Sequence, residues 1–236
     1  MKKKINKINK LLIQFFGTPI KNKKNPDPVD MLIGTILSQN TNDKNSYRAY
    51  QNLKHKYKTW DEVAKLTPSR IEKIIRVAGL GKQKAKAISN VLKGLKKING
   101  KIKLNFLDKL DDKSVIDNLT KFNGVGVKTA SCVLLFSMNR DVCPVDTHVH
   151  RTLNRIGLVN TNTPDKTFNQ ISGKIPVDTA HSFHTNLIRL GREICKPSKP
   201  NCTICPMEKY CSYDFKNFEV NVIHKKNEFM LLDNIS

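Results

Sequence analysis

The sequence predicts an all-α protein, and three observations carry that expectation. Apolar residues recur at intervals of three and four through most of the chain, strand-like alternation is almost absent, and helix start and stop signals punctuate the pattern. With 236 residues and 39% hydrophobic side chains, the chain can bury the core of one large domain or two small ones without disulfide staples. A charged fraction of 26% interspersed with aliphatic residues excludes a disordered chain. No apolar run reaches the ~18 residues of a membrane span.

The first element tests that reading at once, because MKKKINKINKLLIQFF has the basic start and apolar stretch of an export signal. Gln14 interrupts the apolar part, no small-residue cleavage site comes after it, and Ile5, Ile8, Leu12, Phe15 and Phe16 share one helical face. An amphipathic docking helix and an intracellular location are therefore expected, with the six Cys reduced or bound to metal. Residues 28–38 come after Asp27, start with Pro28 and run through Met31, Leu32, Ile33, Ile36 and Leu37, which suits a central buried helix. Thr59 to Glu62 reads as a capping box, and Thr67-Pro68 opens a helix that Gly79 stops. Another helix is expected over about Lys82 to Ile98, with Gly100 after it. Asp112 is expected to cap residues 112–121, a glycine-marked turn occupies 122–126, and the run from Val127 to Met138 is apolar nearly all round and should cross the core. Further helical patterns occupy about 146–156, 164–173 and 178–194, and the last 25 residues read as a loose tail. GLGKQKA from Gly79 and GVGVKTA from Gly124 are faint echoes of one another.

Lys and Arg number 42 against 20 Asp and Glu, a formal net charge of +22. Such a field attracts phosphate polymers or anionic membranes over nanometres, and nucleic acid is the favoured partner. Lys outnumbers Arg by 34 to 8, which a genome of low GC content also produces, so charge alone directs attention without deciding anything.

Three motifs carry chemistry. Cys195, Cys202, Cys205 and Cys211 fall within 17 residues, in a segment that Pro197, Pro200 and Pro206 keep from forming a regular helix. Clustered thiols in an intracellular protein call for a metal, and one compact loop around all four ligands favours a [4Fe-4S] cluster over the two-armed arrangement of structural zinc. Cys132 and Cys143 sit among apolar residues and are expected in the core. Second, LTKFNGVGVKTA, residues 119–130, has the order helix, glycine turn, helix of a helix-hairpin-helix. Gly124 and Gly126 let the backbone approach a phosphate, and free N–H groups at the next helix start face the anion. Lys128, in the first turn of that helix, is either a nucleophilic amine or a phosphate-binding cation. Third, Asp146 in PVDTH precedes a helix, so it is an N-cap or a carboxylate facing a cationic intermediate.

The order and spacing of GVGxKTA, VDTH and the four-cysteine run resemble the endonuclease III family of DNA glycosylases, in the helix-hairpin-helix superfamily, over about residues 28–211. The resemblance implies two all-α domains: a six-helix barrel over 28–140, an iron–sulfur domain of 1–27 with 141–211, and a tail of 212–236. Double-stranded DNA containing damaged bases or abasic sites would lie in a cleft between the domains, with one nucleotide flipped out. The implied activity is bifunctional: removal of oxidised pyrimidines in base excision repair, then β-elimination through a lysine Schiff base. Lys128 corresponds to the attacking amine and Asp146 to its acidic partner. The resemblance assigns phosphate contacts to Gly124 and Gly126, and basic loop contacts to Lys196 and Lys199. His148 occupies the family's histidine position, Leu80 the region that wedges opposite the lesion, and Asn40, next to Gln39, the position that fills the gap of the flipped base. Two departures are visible: the family often has a basic residue where Val127 stands, and commonly Gln where Asn40 aligns. A monomer, nucleoid-associated in the cytoplasm of a prokaryote, is expected. A mismatch-specific or purine-directed relative, or a non-catalytic DNA-binding iron–sulfur protein, are the alternatives; nicking of abasic-site DNA separates the last from the enzyme.

Overall fold

In the computed structural model, which describes residues 1–21, 24–219 and 235, every regular element is helical, and among the described residues there is no strand. In chain order the helices are α1 (Lys2–Phe16), α2 (Pro28–Ser38), α3 (Asp43–Lys56), α4 (Trp60–Ala64), α5 (Pro68–Ile75), α6 (Gly81–Asn99), α7 (Asp112–Leu119), α8 (Val127–Cys132), α9 (Thr147–Arg155), α10 (Pro164–Ile171) and α11 (Ala180–Arg189). A 3-10 turn, Arg76–Ala78, comes after α5, and π-helical turns, Val133–Ser137 and Leu190–Ile194, prolong α8 and α11. The described residues fall into two compact units, 24–139 with Ile235, and 1–21 with 140–219.

The first unit is built around α2. Asp27 accepts the Val29 N–H at 2.8 Å, Pro28 occupies the first helical position, and every residue from Val29 to Leu37 is buried. The helix is surrounded by α3, α6 and α8, which is why its apolar residues need no preferred side. Ile235 takes the space a side chain at Gly34 would fill. Asp30 accepts hydrogen bonds from Lys54 at 3.0 Å and Trp60 at 2.9 Å, fastening α3 and α4 to α2.

The sequence pattern does not show α3. Its buried residues are Ser46, Ala49, Tyr50 and Leu53, a correct helical stripe with little hydrophobic content, on a helix otherwise polar. The cap of α7 is Asp111, which accepts the Ser114 N–H at 3.0 Å, and the expected capping residue Asp112 is already helical. At α4 the Thr59 hydroxyl accepts the Glu62 N–H, but Glu62 returns to Lys58 N rather than to the cap itself.

In the second unit α1 docks on α11 with Ile5, Ile8, Leu12 and Phe16 buried, whereas Phe15 is 39% exposed and lies off the face expected for it. Burying four such side chains is worth about 6–12 kcal/mol, which holds a helix too short to be stable alone. Arg189 donates to the Phe16 carbonyl at 2.9 Å and covers the Phe16 ring, closing the C-terminal end of α1.

The expected loose tail is tied down where it is described. Ser212 N–H bonds to Arg155 O at 2.8 Å, Asn217 O accepts from Cys202 N at 3.0 Å, and Lys216 pairs with Glu208 at 3.0 Å. Residues 220–234 and 236 lie outside the described residues. Among the described residues no helix is long and apolar enough to cross a membrane.

Candidate active site

Helix α7, a turn over 120–126 and α8 form the hairpin. The turn is made by Phe122 N–H to Leu119 O at 3.2 Å and Val125 N–H to Phe122 O at 3.0 Å, with the Val125 side chain buried. Gly124 has φ +93, and a Cβ there would stand 2.4 Å from the Ala87 Cβ of α6. A glycine is needed at 124 for the hairpin to seat against α6 at all. Gly126 differs: its φ is −99, nothing lies within 4 Å of where its Cβ would be, and as a side-chain-free N-cap it leaves the start of α8 uncovered. Lys128 is half-buried in the first turn of α8, and among the described residues nothing hydrogen-bonds or ion-pairs with it.

Two loops accompany the hairpin in the same unit. After α2, Gln39 donates to the Gly124 carbonyl at 3.3 Å, tying this loop to the hairpin turn, and Asn40 is exposed with φ +49. Before α6, Leu80 has φ +49 and is 49% exposed, so it is not the simple packing residue that a leucine at a helix end commonly is. Beneath both loops is Lys84, which sequence reasoning missed. It is 1% exposed, and its Nζ donates to Leu37 O and to Ala78 O, each at 2.8 Å. Burial pulls its pKa down to about 8.

In the other unit α9 carries the remaining residues. Asp146 is half-buried and caps the helix, its Oδ1 accepting the Val149 N–H at 2.8 Å. His148 is half-buried, its Nδ1 3.3 Å from Arg151 Nη2, and burial holds its pKa below the usual imidazole value against the opposing pull of Asp146. A Cβ on Gly191 would come within 2.8 Å of the His148 Cβ, so that glycine permits the close approach of the π turn to α9. Arg151 then reaches Gly191 O at 2.8 Å and Cys195 O at 2.9 Å. One turn on, Arg155 donates to Lys196 O at 2.8 Å, Pro197 O at 3.0 Å and the Cys195 sulfur at 3.4 Å, with its guanidinium 3.8 Å from the Tyr213 ring centre. Sequence reasoning missed both arginines. No sequence signal marks them, because the carbonyls they hold lie 40 or more residues away in the chain.

The four cysteines line one cavity with Arg155 at its wall. Cys195 and Cys202 are buried, Cys205 and Cys211 half-buried, and burial pushes the Cys205 thiol up to about 12. Asn217 N–H points at the Cys202 sulfur, 3.4 Å away. Among the described residues no three His, Cys, Asp or Glu side chains are grouped as ligands of one metal ion. The donor set fits an iron–sulfur core: four soft sulfurs around one cavity, with N–H and guanidinium groups directed at them. Lys196 and Lys199 are exposed on the loop between the first two cysteines, and Lys199 has φ +49. Cys132 and Cys143 are core residues, 0% and 1% exposed.

A glycine-closed helical hairpin with an uncovered helix start defines a DNA-binding protein of the helix-hairpin-helix class. Residues 33–176, more than half of the chain, match the HhH-GPD superfamily of base excision DNA repair proteins, and the chain belongs to that family. It is 36% identical to endonuclease III of Thermotoga maritima over 194 residues, 82% of this chain and 86% of the relative. Endonuclease III of Sulfolobus acidocaldarius is 32% identical over 80% of this chain and 83% of its own. Among solved structures, a trapped endonuclease III–DNA covalent intermediate superposes with a TM-score of 0.74 at 25% identity, covering 90% of this chain and 96% of the other. A thermostable thymine-DNA glycosylase gives 0.73 at 25% identity, over 89% and 96%. The chain is accordingly a base excision repair enzyme acting on DNA. The endonuclease III family generally carries an iron–sulfur cluster, and the cysteines for one are present.

Proposed function

We propose that this chain is a bifunctional DNA glycosylase and abasic-site lyase that removes oxidised pyrimidines. The observation that carries the reading is Lys128: a half-buried amine without a partner among the described residues, in the first turn of the second hairpin helix, where the backbone addresses phosphate. Its nitrogen lone pair attacks C1′ of the damaged nucleotide, the C1′–N bond breaks, and the base leaves with the bonding pair and is protonated. The amine loses a proton and the sugar ring opens to give an imine between Lys128 Nζ and C1′. Removal of a C2′ proton then expels the 3′-phosphate and nicks the strand. The carboxylate of Asp146 stabilises the positive charge that builds on the sugar and takes up protons.

The same reading assigns the other residues. Gly126 and the start of α8 hold a phosphate, Gly124 keeps the turn seated, and Lys196 and Lys199 contact the backbone of the DNA. Asn40 fills the gap of the flipped nucleotide, Leu80 wedges opposite it, and His148 lies along the DNA-contacting side of α9. Residues 28–140 serve as the barrel domain and 1–27 with 141–211 as the cluster domain of a nucleoid-associated monomer. Cys195, Cys202, Cys205 and Cys211 would hold a [4Fe-4S] cluster, which supplies the covalent closure that a proline-rich loop lacks. Arg155 holds that loop from the outside through the carbonyls of Lys196 and Pro197.

Borohydride tests the chemistry. Added during turnover on a thymine-glycol duplex, it should reduce the imine and leave protein covalently attached to DNA, and Lys128→Ala should lose both adduct and nick while keeping most binding. Base loss without nicking would make the enzyme monofunctional, and binding without base loss would make it non-catalytic. An adduct persisting in Lys128→Ala would move the nucleophile to another amine. Analysis of the same protein for iron and sulfide checks the cluster, and zinc alone would reject it.

A further inference from the structure

Among the described residues a lysine, Lys84, stands with Phe183 among the largest fully buried side chains. Burying an ammonium costs several kcal/mol, and a Leu or Met of similar volume fills a core position at no such cost. Lys84 meets no carboxylate among the described residues: its two partners are the main-chain carbonyls of Leu37 and Ala78, both at 2.8 Å. Each carbonyl stands at the end of a helical segment, Leu37 in the last turn of α2 and Ala78 at the close of the 3-10 turn, where carbonyls lack intrahelical partners and the helix end is negative. One nitrogen thus ties together two chain segments 41 residues apart.

The residues just beyond each carbonyl give the tie its purpose. Three residues after Leu37 is Asn40, and two residues after Ala78 is Leu80, and both have φ +49. Left-handed backbone costs a residue such as Leu80 about 1–2 kcal/mol and persists there only where the neighbouring chain is fixed, whereas an asparagine such as Asn40 adopts it at lower cost. Both side chains are exposed at these loop tips, Leu80 to 49%. Gln39 adds a third anchor through the Gly124 carbonyl.

From this geometry we infer that Lys84 is a positioning residue for base excision. It locks the Gln39–Asn40 loop and the Gly79–Leu80 turn to each other, so that Asn40 and Leu80 enter the duplex as one preformed pair. This rests on the reading that those two side chains penetrate the DNA. Insertion must meet the gap left by the extruded base and the partner strand together, and a displacement of about 1 Å costs on the order of 100-fold in rate. The ammonium is rigidly held by two strong acceptors, so its loss frees both loops at once.

The experiment uses the full-length protein and compares Lys84→Met, Lys84→Arg, Asn40→Ala and Leu80→Ala. Three readouts are taken: single-turnover excision from a thymine-glycol duplex, nicking of a preformed abasic duplex, and fluorescence of 2-aminopurine placed opposite the lesion. Lys84→Met should lose about 10- to 100-fold in excision and its 2-aminopurine response, with abasic nicking changed less than about threefold, because no base has to be extruded there. Lys84→Arg retains donors for both carbonyls but displaces them, and should show the same selectivity at smaller size. It carries the test if the Met variant does not fold. Ile71→Ala, a cavity in the same unit, serves as a control of matched thermal stability. If the control loses excision as selectively, or if Lys84→Met lowers excision and nicking in equal proportion, Lys84 is a structural residue and the inference fails. If Asn40→Ala and Leu80→Ala leave excision and fluorescence unchanged, the reading beneath it fails instead, whatever the Lys84 variants do.

Discussion

Replacing Asp146 by Asn separates its two roles by arithmetic. The side-chain oxygen that accepts the Val149 N–H at 2.8 Å is retained, so the cap hydrogen bond survives. What is lost is one negative charge at the N-terminus of α9, worth about 0.3–1 kcal/mol at a partly exposed helix end. For a chain of this size 1 kcal/mol moves the melting temperature by about 2–4 °C, so Asp146→Asn should melt within about 4 °C of the parent. Asp146→Ala removes the cap as well, a further 0.5–2 kcal/mol, and should fall a few degrees more. Catalysis should respond on another scale, because removing a group aimed at developing charge costs roughly 100- to 1,000-fold, about 3–4 kcal/mol. The assay is single-turnover excision from a thymine-glycol duplex with enzyme in excess, at fixed salt, alongside thermal denaturation by circular dichroism. Both variants should lose the rate alike while differing in stability. If Asp146→Asn keeps its rate within about threefold, or if rates track the folded fraction of each variant, the carboxylate is a helix cap and nothing more.

The two hairpin glycines should behave as opposites. Gly124→Ala places a Cβ 2.4 Å from that of Ala87, which has no side-chain torsion to turn away, and at φ +93, so it should lower stability by several kcal/mol and take DNA binding with it, as urea denaturation and gel shift would show. Gly126→Ala meets nothing within 4 Å, so its stability should change by no more than about 1 kcal/mol, and a tenfold loss of affinity in a stable Gly126→Ala protein would mark a phosphate contact. An equal loss of stability at both positions would contradict the packing argument. Changing Lys196 and Lys199 together to Ala should flatten the dependence of log K on log salt by up to about two units, and an unchanged slope would place those contacts elsewhere.

What could be read in the sequence, and what could not, divides along physical lines. Helix α2 was legible because its signals are local: Asp27 and Pro28 at its start, then residues apolar on every side. Helix α3 was not, because two of its four buried residues are Ser46 and Ala49, which no hydrophobic pattern separates from surface. Phe15 and Phe16 are alike as residue types, but a step of 100° per residue leaves one of any adjacent pair near the edge of a helical face, and here it is Phe15. The ordering of residues 212–219 depends on partners such as Arg155 O and Cys202 N, nearly 60 and 15 residues away, and composition gives no hint of it.

The site divides in the same way. The turn glycine Gly124, the Asp146 cap and the grouping of the four cysteines are legible because each comes directly from residue type and spacing. Lys84, Arg151 and Arg155 do not, because each acts through a long side chain on main-chain carbonyls 40 or more residues distant, apart from Ala78. Among 42 basic residues nothing in the sequence marks these three. Their shared choice of partner has a consequence for binding. A carboxylate partner would cancel the charge, whereas a carbonyl satisfies the donors and leaves the charge in place. With only 20 acidic residues in the chain, internal cations held by carbonyls let the protein order its loops without subtracting from the field that attracts the DNA backbone.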